Sequence, residues 1–420
     1  MKSINEINEK IKKGEAIVLT ANEFCDMIRR KESVKDVDVI TSATCGIMSG
    51  TMAIFSFKIA EKGEFYKAKA VWMNGIPTFP GPCPNERIGI VDVILYGTAR
   101  SVYKPEKYGG GALIQDLLYN KNIKVEVETE DGKYFNKEIE LKDMIYAKLI
   151  TTRSCFKNYM AFINPLPTIV KTIFSVKGLI GPYKMATVSG CGELNPLEKD
   201  PLLRTIGIGT KLLINNALGY VIGTGTRATK DRPNLSICSE IKEMSPEFIG
   251  QFITSAGPEI YNSIAIPIPI IDNDILKNTM KLDEEIDLPI ANVNDRNIIG
   301  YSNYGAVWQG VDLEINYNKE KCISCEISPC PVSVYCPTEA FNEKEYKKYK
   351  CFECGACTWL CPKGAFNAKL GIIKLNDIEI PIMLRQSCRK KAENLANKLK
   401  ILIEKGEFLL KEACERLGVL

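Results

Sequence analysis

The chain has 420 residues, 45% of them apolar, with charges of both signs interspersed and a net +4. That length predicts two or three domains with ample material for a buried core, and the mixed charge argues against nucleic acid or an anionic membrane as a partner. No apolar run approaches the ~18 residues of a membrane span, Met1 to Glu15 lacks the apolar core of a signal peptide, and there is no histidine at all. The chain therefore reads as cytoplasmic. Acid–base work falls to Lys, Glu, Asp, Tyr or Cys, and imidazole-based metal sites are excluded.

Two helices are expected to open the chain, because Ser3 with Glu6 and Thr20 with Glu23 each make a capping-box pair ahead of apolar residues at helical spacing. Strand-like runs follow at Val37–Ile40, Ala53–Phe57, Ala70–Met73 and Ile90–Tyr96. A hairpin is predicted from Lys124–Thr129 and Tyr134–Leu141, turning at Asp131-Gly132. Helical periods appear around Ala112–Tyr119, Leu202–Asn215 and Pro246–Thr254, with further strand-like runs at Ile264–Ile271 and Val311–Ile315. This succession predicts an α/β or α+β large domain.

Eight of the sixteen cysteines then fall between Cys322 and Cys361. Cys351, Cys354, Cys357 and Cys361-Pro362 make C-x2-C-x2-C-x3-C-P, the bacterial ferredoxin run, and Cys322, Cys325, Cys330 and Cys336-Pro337 make a loosened copy. In two-cluster ferredoxins the fourth cysteine of each run ligates the other cluster. One [4Fe-4S] cluster would thus take Cys322, Cys325, Cys330 and Cys361, and the other Cys336, Cys351, Cys354 and Cys357. Zinc, with four ligands per ion, does not explain two triplets that each end in Cys-Pro, and a disulfide framework belongs to small secreted domains.

Beyond this segment, Ile372–Ile380 reads as a strand and Arg385–Lys405 as a long amphipathic helix. A tail of about fifty residues cannot bury enough surface to stand alone. The expected order is a large domain at 1–315, an inserted two-[4Fe-4S] ferredoxin-like domain at 316–369, and a return segment at 370–420 packing on the first domain.

Of the six earlier cysteines, Cys25 and Cys238 sit in apolar patterns and read as core residues. Cys45, Cys83, Cys155 and Cys191 are candidate nucleophiles. Cys45 lies in the small-residue run 41–50, expected to be a turn after the strand Val37–Ile40; Cys191 lies between two glycines, with Glu193 close by. Cys155 neighbours Arg153 and Lys157, whose charge would favour a thiolate, and Cys83 sits between Pro82 and Pro84 in a rigid loop. Gly207 and Gly209 could form an anion nest at a helix start, with Lys211 neutralising charge, although a tight structural turn is the plainer reading. Gly110, in Tyr108-Gly109-Gly110-Gly111, is a similar case.

Several of these segments carry a resemblance. Gly192-Glu193-Leu194-Asn195-Pro196-Leu197, Arg204 through Thr210, the Tyr108-Gly-Gly-Gly turn, and the tail motifs Leu384-Arg385-Gln386-Ser387-Cys388-Arg389 and Lys405-Gly406-Glu407-Phe408 resemble the homocysteine biosynthesis family. That family includes the aspartate-semialdehyde sulfurtransferases. With the Cys-rich segment added, the chain is similar to the methanogenesis marker 16 metalloprotein group. The resemblance implies sulfur delivered through cysteine persulfide chemistry to an aldehyde carbon. Loop cysteines and an electron carrier in one chain add the expectation of a redox-coupled sulfur-transfer enzyme, with Cys45 or Cys191 as first choice of thiolate, electrons from the two clusters, a sulfur donor, an electron donor or acceptor protein, and a small anionic substrate held by Lys211 or Arg153. A reading of another class is an electron-transfer or maturation protein whose large domain serves for docking.

Overall fold

A computed structural model describes residues 2–418 apart from 82, 84, 343 and 344. The rigid proline loop expected around Cys83 rests on Pro82 and Pro84 and lies outside the described residues. Both N-terminal helices form, Ile4–Lys13 and Ala21–Arg29. Each is closed by a reciprocal capping box, in which the Glu6 N–H donates to Ser3 Oγ at 3.1 Å and the Glu23 N–H to Thr20 Oγ1 at 3.1 Å.

The architecture is α+β and rich in sheet. One sheet of 14 strands runs from Val18–Thr20 through Val39–Ile47 and Gly257–Pro269 to the hairpin Ile123–Thr129 and Tyr134–Ile139 at its far edge. Its pairings are antiparallel except for Val18–Thr20 against Val39–Ile47. A second sheet of six strands runs in the order Ile298–Asn303, Asp287–Asn292, Ala161–Ile163, Ala186–Val188, Ile378–Arg385, Ile372–Leu375. The two sheets are joined by one antiparallel bridge, Gly46 to Ser387. A Cβ at Gly46 would stand 3.0 Å from Ser387 Oγ and 3.2 Å from the Gln386 carbonyl, so a side chain there would force the bridge apart.

Four sequence expectations change. Thr41–Gly46 is not a turn: it lies in the middle of Val39–Ile47, fully paired with Gly257–Pro269, so Cys45 is a strand residue. Small residues are tolerated there because strands pack on both sides, and nothing in the run bends the chain. Leu202–Asn215 is not helical; Lys211–Ile214 and Ala217–Thr224 form a hairpin, its two loop residues Asn215 and Asn216 both at positive φ (53° and 75°) as a type I′ turn requires. Pro246–Thr254 ends in the buried strand Gly250–Thr254 rather than a helix, and Val311–Ile315 lies outside the named strands. In both misread helical windows, glycine and β-branched residues outweigh an apolar spacing that fits either period.

After the Cys-rich segment the chain returns to these sheets. Ile378–Arg385 pairs in parallel with Ala186–Val188, and the helix Arg389–Glu404 packs across Val39–Ile47 and Gly257–Pro269. A buried ion cluster fixes that helix at its first residue. Arg389 donates to Asp283 Oδ2 at 2.6 Å and to Glu193 Oε1 at 3.0 Å, while Arg29 grips both Glu193 oxygens at 2.8 and 2.6 Å. Backbone N–H groups complete the ring, from Glu193 to Asp283 Oδ1 at 2.7 Å and from Asp283 to Glu193 Oε2 at 2.8 Å. Burial opposes ionisation of Glu193, but the two guanidiniums hold its carboxyl below the usual range.

Removing one partner leaves buried charge uncompensated. Arg389→Ala should lower unfolding stability by about 3–5 kcal/mol in urea titration, whereas Lys390→Ala, next to it but only on an exposed pair with Glu314, should change it by under about 1 kcal/mol.

Candidate functional site

Where the two sheets meet, a cleft of about 210 Å³ opens. One wall is Thr44 and Gly46 through Ser49 of the strand Val39–Ile47 and the residues after it; opposite stand Ser189, Gly190, Gln386 and Ser387. Ser387 Oγ accepts the Gly190 N–H at 2.8 Å, and Asn158 exchanges two bonds with Gly192 at 3.0 and 3.1 Å, so these loops are rigidly tied. Aromatic residues Phe156, Tyr159 and Phe174 line another side, with the guanidiniums of Arg153, Arg227 and Arg296 around them.

Side chains alternate along a strand. Since Thr44 and Gly46 face the cleft, Cys45 faces the other way, toward the helix Arg389–Glu404. There it meets Cys388, the N-cap of that helix. The Cys388 N–H donates to the Cys45 carbonyl at 3.0 Å, and the adjoining Cys45 side chain joins burial in pushing the Cys388 thiol up. Cys191 takes a different grip on the same residue: its sulfur accepts the Cys45 N–H at 3.5 Å, lies 3.6 Å from the Cys45 carbonyl, and is bonded by the Thr44 hydroxyl. Cys155 completes the group beside Cys191, at a backbone φ of 48° that a side-chain-bearing residue seldom adopts. Cys45, Cys155 and Cys191 are 0% exposed and Cys388 1%. Four thiols from four distant segments thus lie directly behind the cleft wall.

For Cys191 and Cys155 protonation follows from burial. Desolvation pushes the Cys191 thiol up to about 11, against the bonds from Cys45 and Thr44, and pushes Cys155 higher still. The expectation that Arg153 and Lys157 would lower Cys155 is not met, because burial dominates there and the Arg153 guanidinium lies over the Phe156 ring at 5.2 Å. Cys83 is exposed and lines a different groove, with Lys67 and Asp92. Cys25 is buried and accepts a bond from Lys199 at 3.1 Å, as a core thiol.

The glycine and lysine candidates also lie elsewhere. Gly207 and Gly209 start no helix, and their N–H groups are taken by Thr210 Oγ1 and the Val221 carbonyl, both at 2.8 Å, leaving no nest for an anion. Lys211 lies over the Phe408 ring at 4.2 Å. Gly110 packs so tightly on the Tyr96 carbonyl that a Cβ would collide with it, and its N–H is bonded to Ala99. Cys388, Arg227 and Arg296 were not singled out from the sequence. Cys388 carried one usable signal, its place in a polar quartet directly before an amphipathic helix; the two arginines sit in loops that only the fold brings together.

In the Cys-rich segment, Cys336, Cys351, Cys354 and Cys357 line one largely apolar cavity with Pro337, Phe352 and Phe366. Cys322, Cys330 and Cys361 lie together around Tyr317. Backbone N–H groups point at two of the sulfurs, Glu353 to Cys351 and Ala365 to Cys361, each at 3.3 Å. Among the described residues no three His, Cys, Asp or Glu side chains are arranged to hold a single metal ion. This segment touches the thiol group through one strand end: the Arg385 N–H donates to the Cys354 carbonyl at 2.8 Å, and Cys388 follows three residues later, a Cα separation of at most about 11 Å.

Because burial raises the Cys191 value from 9.0 to about 11, the stability this protonated thiol contributes is complete below pH 9 and is lost as pH rises toward 11. Urea unfolding of the wild type should weaken across that window by about 2–3 kcal/mol more than that of Cys191→Ser. Iodoacetamide at pH 8 should label the exposed Cys83 and Cys414 first, with Cys155 reacting only after unfolding.

Residues 16–410 match the family described as "Homocysteine biosynthesis enzyme, sulfur-incorporation". The chain is 42% identical to an uncharacterized protein of Methanothermobacter thermautotrophicus, over 97% of this chain and 94% of that one. It is 32% identical to the L-aspartate semialdehyde sulfurtransferase of Methanocaldococcus jannaschii, over 75% of this chain and 64% of that enzyme. The enzyme of the same name from Methanosarcina acetivorans is 30% identical, over 74% and 64%. No solved structure matches the chain. With residues 16–410 matched, the chain belongs to the homocysteine biosynthesis, sulfur-incorporation family.

Proposed function

We propose that the protein is a redox-coupled sulfur-transfer enzyme in which Cys191 carries sulfur as a persulfide and the Cys45–Cys388 pair supplies reducing equivalents. The observation that carries this reading is the convergence of four thiols behind one cleft, with the Cys388 N–H bonded to the Cys45 carbonyl and the two side chains adjoining. Cys191 is bonded to Thr44 and follows Gly190, and both of those residues line the cleft. A sulfur on it lies one layer from a bound carbonyl compound, whereas Cys45 faces away.

The electron count gives the pair its role. Releasing sulfide from a Cys191 persulfide takes two electrons and two protons. Turning an aldehyde and hydrogen sulfide into a thiol and water takes two more of each. Cys45 and Cys388 give up two electrons and two protons when their thiols join as a disulfide, so the pair turns over twice per product. Each reopening takes two electrons, delivered singly by an external carrier of the ferredoxin class, and two protons from solvent.

The eight cysteines at 322–361 fit two [4Fe-4S] clusters in an inserted ferredoxin-like unit. Cys336, Cys351, Cys354 and Cys357 share an apolar cavity, as a cluster requires, and the neighbouring N–H groups suit sulfur ligands. Cys322, Cys325, Cys330 and Cys361 would hold the second. Such clusters, when bound, pass electrons singly. The bond from Arg385 to Cys354 sets this unit beside the segment that ends in Cys388.

After anaerobic incubation with a persulfide donor, peptide mass spectrometry should find the added sulfur on Cys191, and Cys191→Ser should lose it. Cys45→Ser and Cys388→Ser should load sulfur but release sulfide at least tenfold more slowly; loading undiminished in Cys191→Ser would falsify the assignment. Anaerobic reconstitution should bring iron to about eight per chain, and Cys336→Ser should lower it to about half.

A further inference from the structure

The cleft itself says something about what enters it. Eighteen residues line it, three of them arginines, with no aspartate, glutamate or lysine among them. Arg153, Arg227 and Arg296 have no carboxylate partner among the described residues, and Arg153 Nε is buried with no hydrogen-bond acceptor at all. An unpaired buried donor is unfavourable unless something else accepts from it. The two carboxylates nearest in the bonding network are engaged: Glu198 accepts from Asn158 Nδ2 at 3.2 Å and Glu259 from Ser49 Oγ at 2.6 Å. Burial also raises Glu259 above the usual carboxylate range.

The arginines are held in place rather than left to wander. Arg296 lies over the stacked Phe162 and Phe174 rings, 5.1 and 4.4 Å from their centres, and Arg153 lies over Phe156. A guanidinium laid flat on a ring keeps its donor edge free for an oxyanion. Arg227 and Arg296 both adopt left-handed backbone, φ 59° and 66°, as does Asn158 at 50°. Side-chain-bearing residues take that conformation at a local cost that tends to gather at functional sites.

We infer that this cleft takes a small carbonyl compound bearing an oxyanion group (carboxylate, sulfonate or phosphonate) and no ammonium group. The inference rests on the sulfur-transfer reading for the carbonyl, but the charge argument stands without it. An ammonium placed here would meet three guanidiniums and no free carboxylate. L-aspartate semialdehyde, the compound in the names of two relatives, carries such an ammonium, so this cleft is built for a different substrate.

The test is equilibrium binding to the full chain by calorimetry, which needs no turnover. The probes are L-malate against L-aspartate, which differ by a hydroxyl in place of the ammonium, and ethanesulfonate against propionate to separate the oxyanion classes. L-malate is expected to bind at least tenfold more tightly than L-aspartate. Arg153→Gln and Arg296→Gln should each weaken malate at least tenfold, with unchanged circular dichroism and melting. Cys191→Ser should bind malate as the wild type does, so a failure of the sulfur chemistry is told apart from a failure of this inference. Equal or tighter binding of L-aspartate, or malate affinity indifferent to both arginine changes, overturns it.

Discussion

The ring of Arg29, Glu193, Arg389 and Asp283 is the constraint on which the rest of the site depends. Each member comes from a different part of the chain, and each stands next to something that matters. Glu193 is two residues from Cys191, and Arg389 directly follows Cys388. Trp308 adds a second clamp: its indole donates to the Gly190 carbonyl at 3.1 Å, while the guanidiniums of Arg385 and Arg389 lie 5.0 and 5.6 Å from its ring centre. A buried ion cluster is a weak source of net stability, because desolving the charges offsets their attraction. Its value here is geometric. Only one arrangement satisfies every charge, and that arrangement sets Cys191, Cys45 and Cys388 within reach of one another.

Around that ring the molecule separates two tasks on the faces of a single strand. Val39–Ile47 presents Thr44 and Gly46 to the cleft and Cys45 to the helix side, so the arginine-lined cleft and the Cys45 and Cys388 side chains are divided by one layer of backbone. The side toward the helix is dry, and burial there pushes the Cys388 thiol up. The cleft side is lined by guanidiniums and aromatic rings. Sulfur transfer needs both environments, since a charged substrate must be held while reactive sulfur is kept from water.

What could be read from sequence follows from how local each signal is. The capping boxes at Ser3 and Thr20, the Asp131-Gly132 hairpin and the strand Ile90–Tyr96 are encoded within a few neighbouring residues, and all formed. The two Cys-Pro runs predict a grouping of ligands from spacing alone. The run around Cys45 was misread because small residues signal a turn when seen alone, while a central strand is defined by partners more than two hundred residues away. The same holds for Leu202–Asn215, where the Asn215-Asn216 turn outweighed an ambiguous apolar period. Cys388 escaped notice because its significance is its contact with Cys45, and no spacing within the chain expresses that. Arg227 and Arg296 are ordinary loop residues until two sheets meet.

The single bridge between Gly46 and Ser387 has a further consequence, in the timing of synthesis. The cleft wall formed by Gln386 and Ser387, and the thiol of Cys388, leave the ribosome long after the strand Val39–Ile47, at 5–20 residues per second in the general case. Until then the strand holding Cys45 has no partner thiol, and the cleft has only one side. The Cys-rich segment is made before that closure and lies next to it in sequence. The Cys-rich segment can therefore be complete while Cys45 and Cys388 are still apart, and those two thiols meet only when the helix Arg389–Glu404 docks.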